Sequence, residues 1–198
     1  MRVGLFRRLG SFILDTMPII LVVSLLFSLF IGDMLKPDNY DAHYARYNEL
    51  REEYFGELEQ RYTDGEITLD QYQERYNSLS PSFQRATEIE YTTILVYIAR
   101  IVLYHTVSFI SIYLVYIIAT KGRTFGRRML HIELGGKVTI WRLFLREIIW
   151  KFGYWAVTLV IGGVLLDIAM ISFSQKKLTL RDFVSGTYIK YEGVDYPF

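Results

Sequence analysis

The chain has 198 residues, of which 52% are hydrophobic and 22% charged, and its formal net charge is +1. This total hides two opposite regions, because residues 33–92 hold 14 of the 21 acids and 6 of the 22 bases and the remainder carries +9. The basic part is also the apolar part, which argues against a soluble single-core domain and against a nucleic-acid partner. The absence of cysteine excludes disulfides, thiol catalysis and cysteine-ligated metals. The three histidines are widely spaced, and the sequence has no recognisable nucleophile–base pair. We therefore expect no enzymatic activity and no metal or cofactor site.

Three apolar stretches, at 9–31, 91–120 and 152–175, are each long enough to cross a bilayer, since a helix of about 20 residues spans a hydrocarbon core of roughly 30 Å. The sequence therefore predicts an all-α, multi-pass membrane protein that contacts the lipid bilayer. The alternative for the first stretch is a cleaved signal peptide, because Arg7 and Arg8 precede it. Asp15 within the stretch and the lack of a small-residue cleavage site favour an uncleaved helix.

The distribution of lysine and arginine predicts the orientation, because these residues concentrate on the cytoplasmic side. The predicted segments are a cytoplasmic N-terminus with the first membrane helix (1–35), an acidic extracytoplasmic insertion (36–92), a second membrane helix (93–120), a basic cytoplasmic segment (121–151), the third apolar segment (152–175) and a cytoplasmic tail (176–198). A cytoplasmic tail requires the third segment to return, and we expect a broken or re-entrant hairpin at Gly162 and Gly163. A single crossing is the alternative.

The insertion has the pattern of a helical hairpin. Apolar and tyrosine residues recur at helical spacing along both halves: Tyr40, Tyr44, Tyr47, Tyr54 and Leu58, then Tyr72, Tyr76, Leu79 and Phe83. Thr63 to Gly65 indicate a turn, and Thr68 with Gln71 three residues later indicates a capping box. We expect the tyrosines to pack the hairpin on itself or on the membrane surface. The alternative is a docking module for a partner protein.

The segment 121–151 is expected to contain two small elements. Residues 129–134 alternate and are followed by Gly135 and Gly136, which predicts a small cytoplasmic β-hairpin with 138–140 as its second strand. Residues 141–151 alternate apolar and charged side chains, which predicts an amphipathic helix on the cytoplasmic interface.

Ionisable residues within the apolar stretches are the candidate functional residues, since such residues normally face protein or water. Asp15 follows Arg8 by seven residues and so lies on nearly the same helix face. No lysine or arginine is expected at its depth, so we predict an unpaired carboxylate, either a titrating site or a structural hydrogen-bonding group. The secondary candidates are Arg100, expected to reach outward, His105, expected to be structural, and Asp167, expected to line a cavity if the third segment is re-entrant.

Three motifs resemble those of the RDD family of membrane proteins. Residues 7–15, RRLGSFILD, resemble the opening of the family's first helix, with Arg8 and Asp15 at the matching positions. Residues 124–130, TFGRRML, resemble its TLGKRLL stretch. Residues 178–187, LTLRDFVSGT, resemble its terminal LHDLLAGT, which makes Asp182 the second aspartate. Arg181 replaces the family's usual histidine, which disfavours a His–Asp proton relay there.

The resemblance covers about 7–35 and 93–191 and implies a protein of the bacterial plasma membrane with a suggested role in transport. We therefore expect a small antiporter that exchanges a monovalent cation for protons, with Asp15 as the titrating site. Three or four spans are too few to enclose a transport path alone, so we expect a homo-oligomer or a partner protein. The alternative is a non-catalytic scaffold or accessory subunit that binds a partner through the outer hairpin. Arg8 and Asp182 are expected to form an ion pair at a partly wet membrane boundary, stabilising by about 1 kcal/mol.

Overall fold

A computed structural model describes residues 3–153, 161–173 and 178–194, and these residues are mostly helical. The elements in chain order are α1 (Leu5–Leu26), a π-helical turn (Phe27–Ile31), a 3-10 turn (Asp33–Leu35), α2 (Tyr40–Thr63), α3 (Leu69–Ala86), α4 (Glu88–Ala119), α5 (Phe125–Met129), β1 (Ile132–Gly136), α6 (Ile140–Phe144), a π-helix (Leu145–Gly153), α7 (Ile161–Phe173), α8 (Leu180–Ser185) and β2 (Thr187–Tyr191). Contacts divide the chain into two units. We call Met1–Leu26 with His105–Phe198 the motif unit, and Phe27–Tyr104 the hairpin unit.

Helix α1 buries four polar side chains and exposes most of its apolar ones. Its buried residues are Arg8, Ser11, Asp15, Thr16, Ile19 and Val23. By contrast, Leu21 and Leu25 are 65% and 58% exposed. A helix in water shows the reverse pattern, so this surface is the one expected of a lipid-facing helix.

Two helices among the described residues have the length and composition to cross a membrane. They are Leu5–Ile31, of 27 residues, and Glu88–Ala119, of 32 residues. Only 22% and 11% of their most apolar windows are buried within the protein, unlike the core helix of a soluble domain.

The third apolar stretch is described only in part. Helix α7 has 13 residues and begins at Ile161, so Gly162 and Gly163 lie in its first turn. The break predicted at Gly162 and Gly163 is therefore wrong at these two residues, because both belong to this continuous helix. Residues 154–160, directly before the helix, lie outside the described residues.

The insertion forms the predicted helical hairpin in the hairpin unit. Leu50, Phe55, Leu58 and Phe83 make its buried core, with Tyr47, Tyr54, Ile67, Tyr72 and Leu79 packed against it. The capping box is also confirmed, because Thr68 Oγ1 accepts from the Gln71 backbone N at 3.3 Å and Gln71 Oε1 accepts from the Thr68 backbone N at 3.0 Å. The rings of Tyr47 and Tyr54 lie 5.5 and 5.7 Å from that of Phe83. These tyrosines therefore pack the hairpin on itself.

The predicted cytoplasmic β-hairpin is wrong in its second strand. Strand β1 pairs antiparallel with β2 near the C-terminus, with Ile132 opposite Tyr191 and Gly136 opposite Thr187. The chain leaves β1 at Gly136, whose φ of 85° favours glycine. Thr139 then accepts a hydrogen bond from the Arg142 backbone N and starts α6, so 138–140 are not a strand.

The predicted interfacial amphipathic helix is also wrong in the placement of its charges. Residues 140–153 form α6 and the π-helix, and Arg146 and Glu147 are only 1% and 2% exposed. They turn inward because both find oppositely charged partners within the motif unit.

A 38–90 fragment tests the hairpin core. We expect a helical circular dichroism spectrum, and Phe55→Ala should lower the free energy of unfolding by about 3–5 kcal/mol or unfold the fragment, because it removes a buried aromatic ring. Tyr44→Ala is the matched control, since Tyr44 is 49% exposed. A random-coil spectrum of the unmodified fragment would contradict the independent core.

Candidate functional site

Arg8 and Asp15 lie on one buried face of α1, with exposed fractions of 6% and 5%. This common face is what their seven-residue separation predicts. The two side chains contact different parts of the motif unit. Asp15 binds the start of α5, and Arg8 binds α8.

Asp15 is not the unpaired carboxylate that the sequence predicts. Its Oδ2 accepts from Thr124 Oγ1 at 2.6 Å, and its Oδ1 accepts from the Gly126 backbone N at 2.7 Å and from the Tyr116 hydroxyl at 3.1 Å. The prediction of an unpaired carboxylate rests on the absence of lysine and arginine at this depth. Neutral donors from α4 and the start of α5 instead satisfy this carboxylate.

The close approach of α5 to α1 requires glycine at position 126. A Cβ there would lie 2.2 Å from the Ser11 carbonyl oxygen and 3.1 Å from Asp15 Cγ. Because the clash is with backbone, no side-chain rearrangement can relieve it. The TFGRRML motif is thus an α1-docking element whose backbone binds Asp15.

Asp182 pairs with two arginines. Its Oδ2 lies 2.8 Å from Arg8 Nη1, and its Oδ1 lies 2.5 Å from Arg146 Nη1. Asp182 also belongs to the capping box of α8, where the Thr179 backbone N donates to Oδ2 at 2.9 Å. The predicted Arg8–Asp182 pair is therefore confirmed, but Asp182 is shared between α1 and the π-helix.

The expectation of a partly wet pair is wrong. The Arg8 and Asp182 side chains are 4% and 0% exposed. Removing one partner from a buried pair costs about 3–5 kcal/mol, because the other charge stays buried without compensation. Asp182 therefore contributes more to the free energy of unfolding than a residue of a surface ion pair would.

The two arginines keep Asp182 ionised. Burial raises the pKa of this carboxyl, but the guanidinium groups of Arg146 and Arg8 outweigh burial and hold its pKa well below its usual range. The resulting stabilisation is fully present above about pH 4, the pKa of an unfolded aspartate. It is lost as the pH falls from there through the folded-state pKa.

Glu147 extends the same network towards α4 and α5. Its Oε1 pairs with Arg127 and with Arg146 Nε, and its Oε2 accepts from the Tyr113 hydroxyl at 3.2 Å. Arg127 also donates to the Gly122 carbonyl at 2.7 Å. Arg146 therefore joins Glu147 to Asp182, and the ion pairs run without a gap from α5 through the π-helix to α8 and α1.

A cavity of about 250 Å³ lies beside this network in the motif unit. Its charged lining residues are Arg8, Asp15, Arg127, Arg146, Glu147, Asp167 and Arg181, with apolar walls that include Leu9, Phe12 and Ile171. Asp167 lines the cavity, and its Oδ2 lies 3.4 Å from Arg181 Nη2. The re-entrant path on which the prediction of this position depends stays a prediction.

The other two secondary candidates lie elsewhere. Arg100 belongs to the hairpin unit and donates to the Leu35 carbonyl at 3.1 Å. His105 is half-buried on α4 and is not part of the described cavity lining. The structure thus brings Arg8, Asp15, Asp167 and Asp182 into one region and leaves these two outside it.

Four charged residues of this region are not predicted from the sequence: Arg127, Arg146, Glu147 and Arg181. Glu147 is a sequence signal for this network. The basic segment 121–151 contains two acids, Glu133 and Glu147, and Glu147 lies among apolar residues. A lone acid in such surroundings needs a buried partner. Residue spacing could not show that the partners are Arg127 from α5 and Arg146 next to it.

A charge swap tests the sharing of Asp182. If Arg8 were its sole partner, Arg8→Asp combined with Asp182→Arg would restore the stability that either change removes. Because Arg146 lies 2.5 Å from the same carboxylate, the swap brings like charges together, and we expect the double variant to stay about 3–5 kcal/mol less stable. Thermal unfolding in detergent measures this.

The matched control is the ion pair of Arg46 and Glu49, in which Arg46 Nη1 lies 2.7 Å from Glu49 Oε2. The two side chains are 51% and 67% exposed. Swapping these two should change stability by less than about 1 kcal/mol. A swapped Arg8/Asp182 protein as stable as wild type would contradict the shared carboxylate.

Comparison with known families agrees with the three motifs. The RDD family model matches residues 2–186, and the match runs across the acidic insertion. No curated protein and no solved structure matches the chain. The match covers nearly the whole sequence, and the exposed apolar faces of α1 and α4 fit a membrane protein. The chain belongs to the RDD family.

Proposed function

We propose that this protein is an antiporter that exchanges a monovalent cation for protons, and that the cavity of the motif unit is where the cation binds. The observation that carries the proposal is the cavity itself, about 250 Å³ lined by carboxylates and arginines beside an apolar helix. Ionisable groups are costly next to lipid, and where they persist they mark ion or proton pathways.

The charge balance of the region favours exchange over simple uptake. The buried cluster and its cavity contain four arginines and four carboxylates: Arg8, Arg127, Arg146 and Arg181, with Asp15, Glu147, Asp167 and Asp182. A cation entering a neutral, poorly solvated cluster adds uncompensated charge. If one of the four carboxylates first carries a proton, and this proton leaves as one monovalent cation enters, the charge of the cluster does not change.

The assembly and placement of the protein follow from the same reasoning. Two candidate membrane helices lie among the described residues, and the third apolar stretch adds at most a few spans that enclose little space. We therefore propose that transport needs a homo-oligomer or a partner protein. We place the protein in the bacterial plasma membrane because it belongs to the RDD family. Its flanking lysines and arginines support a cytoplasmic N-terminus.

A scaffold or accessory subunit is the second candidate function. The observation that favours it is the hairpin unit, which has its own aromatic core and an acidic surface. In this alternative the hairpin binds a partner protein and the ion-pair network serves stability alone.

Flux through purified protein in liposomes tests the first proposal. Vesicles with an acidic interior and a pH-sensitive dye should lose their pH gradient when LiCl, NaCl or KCl is added outside. N-methyl-D-glucamine chloride, a large organic cation salt, is the matched control for ionic strength. Protein-free vesicles give the leak rate.

Gradient loss above the leak with at least one alkali cation, and not with the organic cation, is the expected result. If wild-type protein moves none of the three cations faster than protein-free vesicles, the antiporter proposal fails. The scaffold function then becomes the better proposal.

A further inference from the structure

The buried carboxylates of the motif unit differ in how fully they are bound. Asp182 has two arginines and a backbone N–H, and Glu147 has two arginines and a tyrosine hydroxyl. Asp15 accepts three hydrogen bonds. Asp182 Oδ1 accepts no hydrogen bond from the described residues, but it lies 2.5 Å from Arg146 Nη1. Each of these three carboxylates would therefore have to give up ion-pair or hydrogen-bond contacts to bind a cation.

Asp167 is bound much more loosely. The residue is 8% exposed and lines the cavity. Its ion-pair contact with Arg181 is 3.4 Å long, beyond the 2.7–2.9 Å typical of a charge-assisted hydrogen bond. It accepts no hydrogen bond from the part of the chain that the structure describes, and Arg181 Nε is likewise buried without a hydrogen-bond partner there. This carboxylate therefore has acceptor capacity facing the cavity.

We propose that Asp167, and not Asp15, is the carboxylate at which the monovalent cation and the proton exchange, with Arg181 as its counter-ion when neither is bound. This inference rests on the antiporter function proposed above and names the residue that carries it. Asp15 is then a positioning residue that holds α5 against α1.

The exchange is a proton transfer and an ion exchange, with no redox step. The protonated Asp167 releases its proton to water, and the resulting carboxylate binds either the cation or Arg181. Arginine stays protonated in proteins, so Asp167 is the member of this pair that can change charge. Arg181, which keeps its positive charge, can therefore compete with the cation for the Asp167 carboxylate.

The other charged groups around Asp167 are already paired. Arg8 on α1 and Arg146 on the π-helix bind Asp182 on α8, and Arg127 on α5 is neutralised by Glu147. Asp15 on α1 is held by its three donors. Within the described residues, the Asp167–Arg181 pair is consequently the one with the fewest contacts to lose.

Two variants test the assignment in the liposome assay. Asp167→Asn removes the exchangeable charge and should lower cation-dependent gradient loss at least tenfold. Asp70→Asn is the matched control, because it makes the same chemical change at an exposed position of α3. Both proteins should elute from a sizing column in detergent as wild type does.

Arg181→Gln keeps Asp167 and removes its internal competitor. At alkaline pH the half-saturating cation concentration should fall about tenfold, and the pH midpoint of flux should rise by about one to three units, since an adjacent positive charge lowers the proton affinity of a carboxylate by that amount. A purely structural role for the pair would not shift both quantities in these directions.

The outcomes separate the two proposals. Wild-type flux with undiminished flux in Asp167→Asn overturns the assignment of Asp167 and leaves the antiporter function in place. An unchanged or higher half-saturating concentration in Arg181→Gln overturns the internal competitor. Absence of wild-type flux for every alkali cation overturns the function and this inference together.

Discussion

One carboxylate shared by two buried arginines organises the motif unit. Asp182 lies 2.8 Å from Arg8 of α1 and 2.5 Å from Arg146 of the π-helix. Charges removed from water are stable only when they find partners, and in this largely apolar chain the partners come from opposite ends of the sequence. The pairing therefore brings α1, the π-helix and α8 together, and Glu147 extends it to α5.

This constraint gives each family motif a physical role. The first motif supplies Arg8 and Asp15 on one face of α1. The second supplies Gly126, whose missing side chain lets α5 approach α1 and bind Asp15 through its backbone. The third supplies Asp182 within the α8 capping box. Residues of all three motifs line a cavity that has both charged and apolar walls. The charged groups of this lining are the physical basis for proposing an ion path.

Local signals predicted the local structure well. Helical spacing and the Thr68–Gln71 capping box predicted the hairpin, and the seven-residue spacing placed Arg8 and Asp15 on one face. The sequence failed where contacts join distant segments. The partner of β1 lies more than 50 residues away, and alternation along 141–151 could not reveal that Arg146 and Glu147 turn inward. Asp15 was predicted to be unpaired because its donors are a hydroxyl pair and a backbone N–H, which charge counting does not detect.

The ion pair of Arg146 and Asp182 holds distant parts of the motif unit together. A double-mutant cycle measures it most directly, with Arg146→Gln, Asp182→Asn and the double variant unfolded in detergent at neutral pH. We expect a coupling energy of about 1–3 kcal/mol, because either single change already breaks this buried ion pair. Effects that add to within about 0.5 kcal/mol would contradict it.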